Sequence, residues 1–326
     1  MPIAVTGSIA VDHLMTFPGR FADQLLADRL DRISLSFLVD DLQIRRGGVA
    51  ANICFGLGLL GLRPILVGAV GTDFADYRSW LERHGVDTES VQVSELRHTA
   101  RFLCTTDLDS NQLASFYAGA MAEAREIELG PIAERVGRLD LVVISPNDPA
   151  AMLRHTEECR ERGIPFVADP SQQLTSLEPD EVRTLIDGAA YLLSNEYEEG
   201  LIESKTGWSS AEVLDRVGVR VVTLGPNGAL VQQGGQPDLL VPVVPEQRRA
   251  DPTGVGDAFR AGFLGGVEWG VGHERAAQLG SLLATCALET VGPQEYDVEP
   301  SALLSRLASA YGDASADDLR PHLAAL

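Results

Sequence analysis

The chain has 326 residues, 45% hydrophobic, 22% charged and 6% aromatic, the proportions of an ordinary globular protein long enough to bury a large core. Lys and Arg number 26 against 47 Asp and Glu, a net charge of −21 that repels a nucleic-acid backbone or an anionic membrane surface. Nucleic acid and membrane are therefore disfavoured as partners, whereas an anionic small molecule stays acceptable where local donors or a divalent cation screen it.

Apolar, β-branched runs alternate with helical stretches along the chain, the pattern of a mostly parallel sheet covered by helices on both faces. The strands are expected at Ile3–Ala10, Pro64–Gly71, Leu139–Ser145, Pro165–Asp169, Ala190–Asn195 and Arg220–Leu224. Between them the clearest helices are Ala50–Leu60, Tyr77–Arg83, Pro149–Arg162 and Asp180–Asp187, with Gly61, Gly85 and Gly163 as C-terminal stops. Two regions interrupt the alternation, Phe17–Arg46 and Val91–Ala118. Both read with period two and lack a crossover helix, so an antiparallel flap inserted into a single α/β domain spanning 1–326 is expected. The segment GALVQQGGQPDLLVPVV reads as a hairpin ahead of a helical C-terminus. No repeat or linker divides the chain.

Several chemistries lack their residues. Cys54, Cys104, Cys159 and Cys286 form no C-x-x-C pair, and the six histidines show no H-E-x-x-H spacing, so neither a disulfide framework nor a catalytic zinc is indicated. The N-terminal run has no basic segment before it, and no apolar stretch reaches about 18 residues, which points to a cytoplasmic protein. The single lysine, Lys205, stands in ESKTG rather than after a glycine, which removes a phosphate loop of the Walker type.

The most informative segment is Asp251-Pro-Thr-Gly-Val-Gly-Asp257-Ala-Phe-Arg260-Ala-Gly262. Pro252 and the glycines turn the chain, and Ala258–Val267 suits a helix, so the N–H groups of Gly254, Val255 and Gly256 should point outward as an anion-binding nest. Asp257 would sit in the first helical turn, its charged form favoured by the helix dipole. There it can accept a proton from an attacking hydroxyl while the nest holds charge on a transferring phosphoryl group. A plain helix cap after a chain turn uses the same residue types.

These twelve residues resemble the C-terminal signature of the ribokinase-like, PfkB-type family of carbohydrate and nucleoside kinases, and the likeness runs in order over nearly the whole chain. Its other motifs have counterparts in Gly7 to Asp12, in Arg45-Arg46-Gly47-Gly48-Val49-Ala50-Ala51-Asn52, in Asn195-Glu196-Tyr197-Glu198 and in Thr223-Leu-Gly225-Pro-Asn-Gly228. Pro252 and Val255 depart from the usual Thr and Ala but keep the backbone donors. By this resemblance Asp257 is the catalytic base and Gly254, Val255 and Gly256 the anion hole. Asn195 and Glu198 organise Mg²⁺ through water, a role that suits a hard cation, although their spacing equally suits a helix capping box. Asn195, Thr223, Gly225 and Gly228 line the ATP side, where a strand-to-hairpin turn would use the same residues. Asp12, Gly48 and Asn52 hold the sugar hydroxyls, and Asp251 and Thr253 a K⁺ ion.

SLSFLVDDL (34–42), HTARFLCTTD, ASFYAGAMAEAR and ADPSQQL look closer to actinobacterial-type adenosine kinases. That likeness implies a purine contacted by Phe102 and Phe116, with Ser8, Ser36, Phe37, Gln172 and Gln173 completing its pocket. An apolar flap carrying Phe supplies a stacking face, and amides read ring nitrogens. The two Phe equally suit the core of the flap. The implied activity is phosphorylation of the adenosine 5′-hydroxyl by ATP in purine salvage, with a homodimer formed through the flap edges. A sugar kinase acting on ribose or fructose, or a non-catalytic nucleoside-binding protein, are the alternatives.

Overall fold

The computed structural model describes residues 2–24 and 36–326. The chain begins with β1 (Ile3–Thr6), β2 (Ala10–Thr16), α1 (Phe21–Gln24), β3 (Asp41–Gly47) and α2 (Val49–Leu59). It continues through β4 (Ile65–Gly71), α3 (Ala75–Arg83), β5 (Val91–Ser94), β6 (Ala100–Thr106) and β7 (Gln112–Tyr117). Then follow α4 (Leu129–Val136), β8 (Leu141–Ile144), α5 (Pro149–Arg162), β9 (Phe166–Ala168), α6 (Pro179–Ile186), β10 (Tyr191–Asn195), α7 (Glu196–Thr206) and α8 (Ser210–Leu214). The last part comprises β11 (Val219–Thr223), β12 (Ala229–Gln233), β13 (Leu239–Val241), α9 (Val255–Trp269), α10 (Gly272–Leu288), α11 (Pro300–Tyr311) and α12 (Asp313–Leu323).

Nine strands form the large sheet in the order β13-β12-β11-β10-β9-β8-β1-β4-β5, parallel except at β11-β12 and β12-β13, which make the expected hairpin. Its strands read as unbroken apolar runs because helices cover both faces, and two separate apolar clusters of buried residues form as a result. Local signals set the helix ends. Asp148 accepts from Ala151 N at 3.2 Å, Pro149 takes the first helical position, and Gly163 closes α5 in the left-handed region, so α5 spans the expected residues.

Four expectations need correction. The first strand is not continuous over Ile3–Ala10: it leaves the large sheet after Thr6 and resumes as β2 in the small one. A Cβ on Gly7 would lie 2.0 Å from Ser145 Oγ, and Ser8 N donates to the Pro146 carbonyl, so the chain here is packed against the loop after β8. The flap is consequently β3-β2-β6-β7, and it draws on Ala10–Thr16, ahead of the expected 17–46 segment. Within that segment the described strand is Asp41–Gly47, while residues 25–35, including the start of RISLSFLVDD, lie outside the described residues. Val91–Ser94, expected in the flap, instead extends the large sheet by pairing parallel with β4. Finally, the small sheet is antiparallel only in its outer pairs, for β2 and β6 run parallel.

Candidate active site

In a mostly parallel sheet the ligand loops gather beyond the carboxyl ends of the strands. There the structure brings α9, α2 and the loops after β1, β9, β10 and β11 together. α9 starts at Val255, earlier than expected, with Gly254 as its N-cap at φ 77°. Only glycine fits, because a Cβ on Gly254 would also meet Pro293 Cβ at 2.4 Å. The first hydrogen bond of the helix runs from Ala258 N to the Gly254 carbonyl at 2.9 Å, and no side chain caps its N-terminus. The N–H groups of Gly254 and Gly256 thus have no helical acceptor, while Val255 N makes only a 3.4 Å contact to Pro252 O.

Asp257 lies half-buried in that first turn, where Asn52 Nδ2 donates to its Oδ2 at 2.8 Å. Burial pushes its carboxyl up to about 6, against the pull of Arg260 and of the Asn52 hydrogen bond, with Asp169 and Glu198 adding to the rise. Arg260, one turn along α9, forms a two-pronged ion pair with Asp169 at 2.6 and 2.7 Å, and its Nη2 lies 4.0 Å from Glu198 Oε2. Neither Arg260 nor Asp169 was singled out as a site residue from sequence. The available signal for Arg260 was a single cationic residue in a helix otherwise made of small, apolar and acidic residues.

Gly48 stands at φ 95°, and a Cβ there would lie 2.6 Å from Ser8 O and Ala10 N, so the start of α2 rests directly on the link between β1 and β2. Ser8 is buried, and its Oγ accepts from Val49 N at 3.0 Å, capping α2 from outside. Asp12 sits against Gly47, and burial followed by the charge of Asp251 pushes its carboxyl up to about 6. Register then aligns four side chains across the small sheet: Arg45 opposite Asp12, Asp12 opposite Phe102, and Phe102 opposite Phe116. Directly paired residues share a face. Phe116 is 53% exposed and Phe102 half-buried, so neither ring is enclosed in a flap core. Phe37 instead joins Phe17 and Phe21 in a three-ring cluster with centroids 4.7–5.5 Å apart, and Ser36 beside it is exposed.

Gln172 and Gln173 occupy a 3₁₀ turn after β9, where Gln173 Nε2 donates to Asn147 O at 2.7 Å and Gln172 is exposed. Asn195 and Glu198 make a reciprocal capping box, each backbone N–H donating to the other's side chain at 2.9 Å, and Ser171 Oγ donates to Glu198 at 3.2 Å. Thr223, Gly225 and Gly228 form the turn from β11 to β12, with the glycines at φ 55° and 98°. Both carboxylate oxygens of Asp251 accept backbone N–H groups, from Thr253 at 2.9 Å and Gly292 at 3.1 Å, which ties the turn before α9 to the loop after α10.

A large, mostly parallel sheet flanked by helices, with a small second sheet, is the ribokinase-like fold. The chain belongs to the pfkB family of carbohydrate kinases, whose model matches residues 7–300. It is 35% identical to a Burkholderia thailandensis nucleoside kinase solved in complex with inosine, with a TM-score of 0.82 over 95% of this chain and 98% of that one. A nucleoside kinase from Methanothermobacter thermautotrophicus is 28% identical over 288 residues, 87% of this chain and 92% of the relative. The nucleoside kinase of Methanocaldococcus jannaschii shares the fold, with a TM-score of 0.81 at 23% identity over 95% of this chain and 99% of that one. Among the described residues no helix is long and apolar enough to cross a membrane.

Proposed function

We propose that this protein transfers the γ-phosphoryl group of ATP to the 5′-hydroxyl of adenosine, forming AMP and ADP. The observation that carries the reading is the half-buried Asp257 carboxylate beside unpaired N–H groups at the start of α9. Asp257 takes the hydroxyl proton during in-line attack, and the N–H groups of Gly254, Val255 and Gly256 stabilise charge on the group in flight. Asp12 and Asn52 accept and donate to the ribose hydroxyls, and Gly48 lets the ribose approach the backbone. Phe102 and Phe116 offer the purine a stacking face, with Ser8, Ser36, Phe37, Gln172 and Gln173 around it. Asn195, Thr223, Gly225 and Gly228 bound the nucleotide side.

The acidic, all-oxygen donor set suits Mg²⁺, yet among the described residues no three ligating side chains cluster, so Glu198 and Asn195 would act through water. When bound, that ion would neutralise charge on the ATP phosphates. Asp251 and Thr253 would take K⁺ in the same manner, a role read by turnover with and without that ion. The exposed Leu42, Ile44, Leu113 and Tyr117 lie on the flap face opposite Asp12, and support pairing with a second copy through the flap.

The inosine complex of the Burkholderia relative supports a second reading, in which other purine nucleosides serve equally well. An ADP-release assay over adenosine, guanosine, inosine, ribose and fructose separates them. Turnover with adenosine well above inosine, and none with ribose, is expected. Turnover with ribose or fructose alone would return the protein to the sugar kinases, and adenosine binding without ADP would mark a non-catalytic binding protein.

A further inference from the structure

From the Asp257 carboxylate a chain of buried contacts runs through Asn52 to Gln294 and Tyr77, two residues that lie in none of the sequence motifs. The Tyr77 hydroxyl donates to the Gly47 carbonyl at 2.9 Å, and Gln294 Nε2 contacts that hydroxyl. The same Gln294 nitrogen donates to Asn52 Oδ1 at 2.8 Å, and Asn52 Nδ2 donates to Asp257 Oδ2 at 2.8 Å. Gln294, Tyr77 and Asn52 are 1%, 4% and 6% exposed, so bulk solvent offers them little competition.

The direction of this chain is decided at its far end. A backbone carbonyl only accepts, so the Tyr77 hydroxyl donates to Gly47, which leaves its oxygen to accept from the Gln294 amide nitrogen. The second N–H of Gln294 then requires an acceptor from Asn52. That turns Oδ1 of Asn52 toward Gln294 and its N–H toward Asp257. A second observation agrees: Gln294 Oε1 is buried with no hydrogen-bond partner among the described residues. Such orphans are uncommon, and here the amide leaves its own oxygen unpaired in order to keep both N–H groups on Tyr77 and Asn52.

We propose that Gln294, oriented by Tyr77, is a positioning residue that holds the Asn52 amide with its N–H toward the Asp257 carboxylate. The proposal rests on the reading of Asp257 as the base. Were Asn52 to turn over, its oxygen would face the carboxylate and two acceptors would repel. The other groups around Asp257 are Arg260 on its own helix, Asp169 after β9, Glu198 of α7 and Tyr296 after α10. Among these only Arg260 favours the ionised form, and Asn52 is the one side chain that donates to Asp257 among the described residues. Losing that donor disfavours the carboxylate, so its titration moves to higher pH and less base is ionised at neutrality.

The test uses the full chain carrying Gln294→Leu, and separately Tyr77→Phe, with rates normalised to folded protein. Gln294→Leu is expected to lower kcat about twofold at pH 7 and about fivefold at pH 6, where a carboxyl displaced by about one pH unit is mostly protonated, while the KM for ATP moves less. The acid limb of the kcat profile, and the Asp257 carboxyl titration followed by carbon-13 NMR, should both rise by about one pH unit. Tyr77→Phe should act in the same direction to a smaller extent, and it decides the matter where Gln294→Leu fails to fold. Variants that fold and leave both the titration and kcat at wild-type values would overturn the proposal. A wild-type chain that forms no ADP from any acceptor would instead overturn the functional reading, and the NMR titration would still decide the role of Gln294.

Discussion

Every residue of β4 and β8 in the large sheet is buried, whereas every residue of β7 in the small sheet is exposed, as are the first four of β3. The large sheet carries helices on both faces, and α9 with its Asp257 is anchored through the buried Asp169–Arg260 pair. On the small sheet, the face that bears Asp12 and Phe102 leaves Phe116 exposed. One half of the candidate site is thus held by buried, packed elements, and the other carries an exposed ring at Phe116. On the proposed reading, phosphoryl transfer depends on the first half and acceptor choice on the second.

The largest test of this contrast is Asp257→Asn. It should lower kcat by roughly 10²–10⁴, the usual worth of a general base, while calorimetry finds adenosine bound nearly as in the wild type. Near-wild-type turnover would remove Asp257 from the chemistry. Because burial raises its carboxyl to about 6 and the base must be ionised, wild-type kcat/KM should fall as pH drops through about 6 and level off above it. A flat profile between pH 5 and 7 would contradict that assignment.

Next in size is Arg260→Gln, which strands Asp169 at 0% exposure and should cost about 3–5 kcal/mol, read as a marked drop in Tm. Phe116→Ala sharpens the comparison from the other side. With its ring 53% exposed, the substitution should change stability by no more than about 0.5 kcal/mol. Adenosine affinity should nevertheless weaken by about 1–3 kcal/mol, the worth of stacking a base on an aromatic ring. Equal stability losses at the two positions would erase the distinction between the halves.

The whole of α5 was legible in the sequence because its signals are local, Pro149 at one end and Gly163 at the other, whereas the turn before α9 was legible but its helix starts three residues earlier than expected. The Asn195–Glu198 capping box was legible for the same reason, since three residues separate its partners. The Asp169–Arg260 pair spans 91 residues and the Gln294–Asn52 contact 242, and nothing near either residue in the chain announces its partner.

By itself the sequence determined the alternation of strands and helices, the glycine-rich turn before α9 and the acid beside it, all of which follow from side-chain periodicity and backbone preferences within a dozen residues. Only the tertiary structure decided that the first strand divides at Gly7 between two sheets, that β2 and β6 pair in parallel, and that Gln294 donates to the Asn52 amide beside Asp257. Those outcomes depend on which distant surfaces meet when the core closes, because close backbone approach and buried hydrogen bonds are settled by packing rather than by neighbours in the chain.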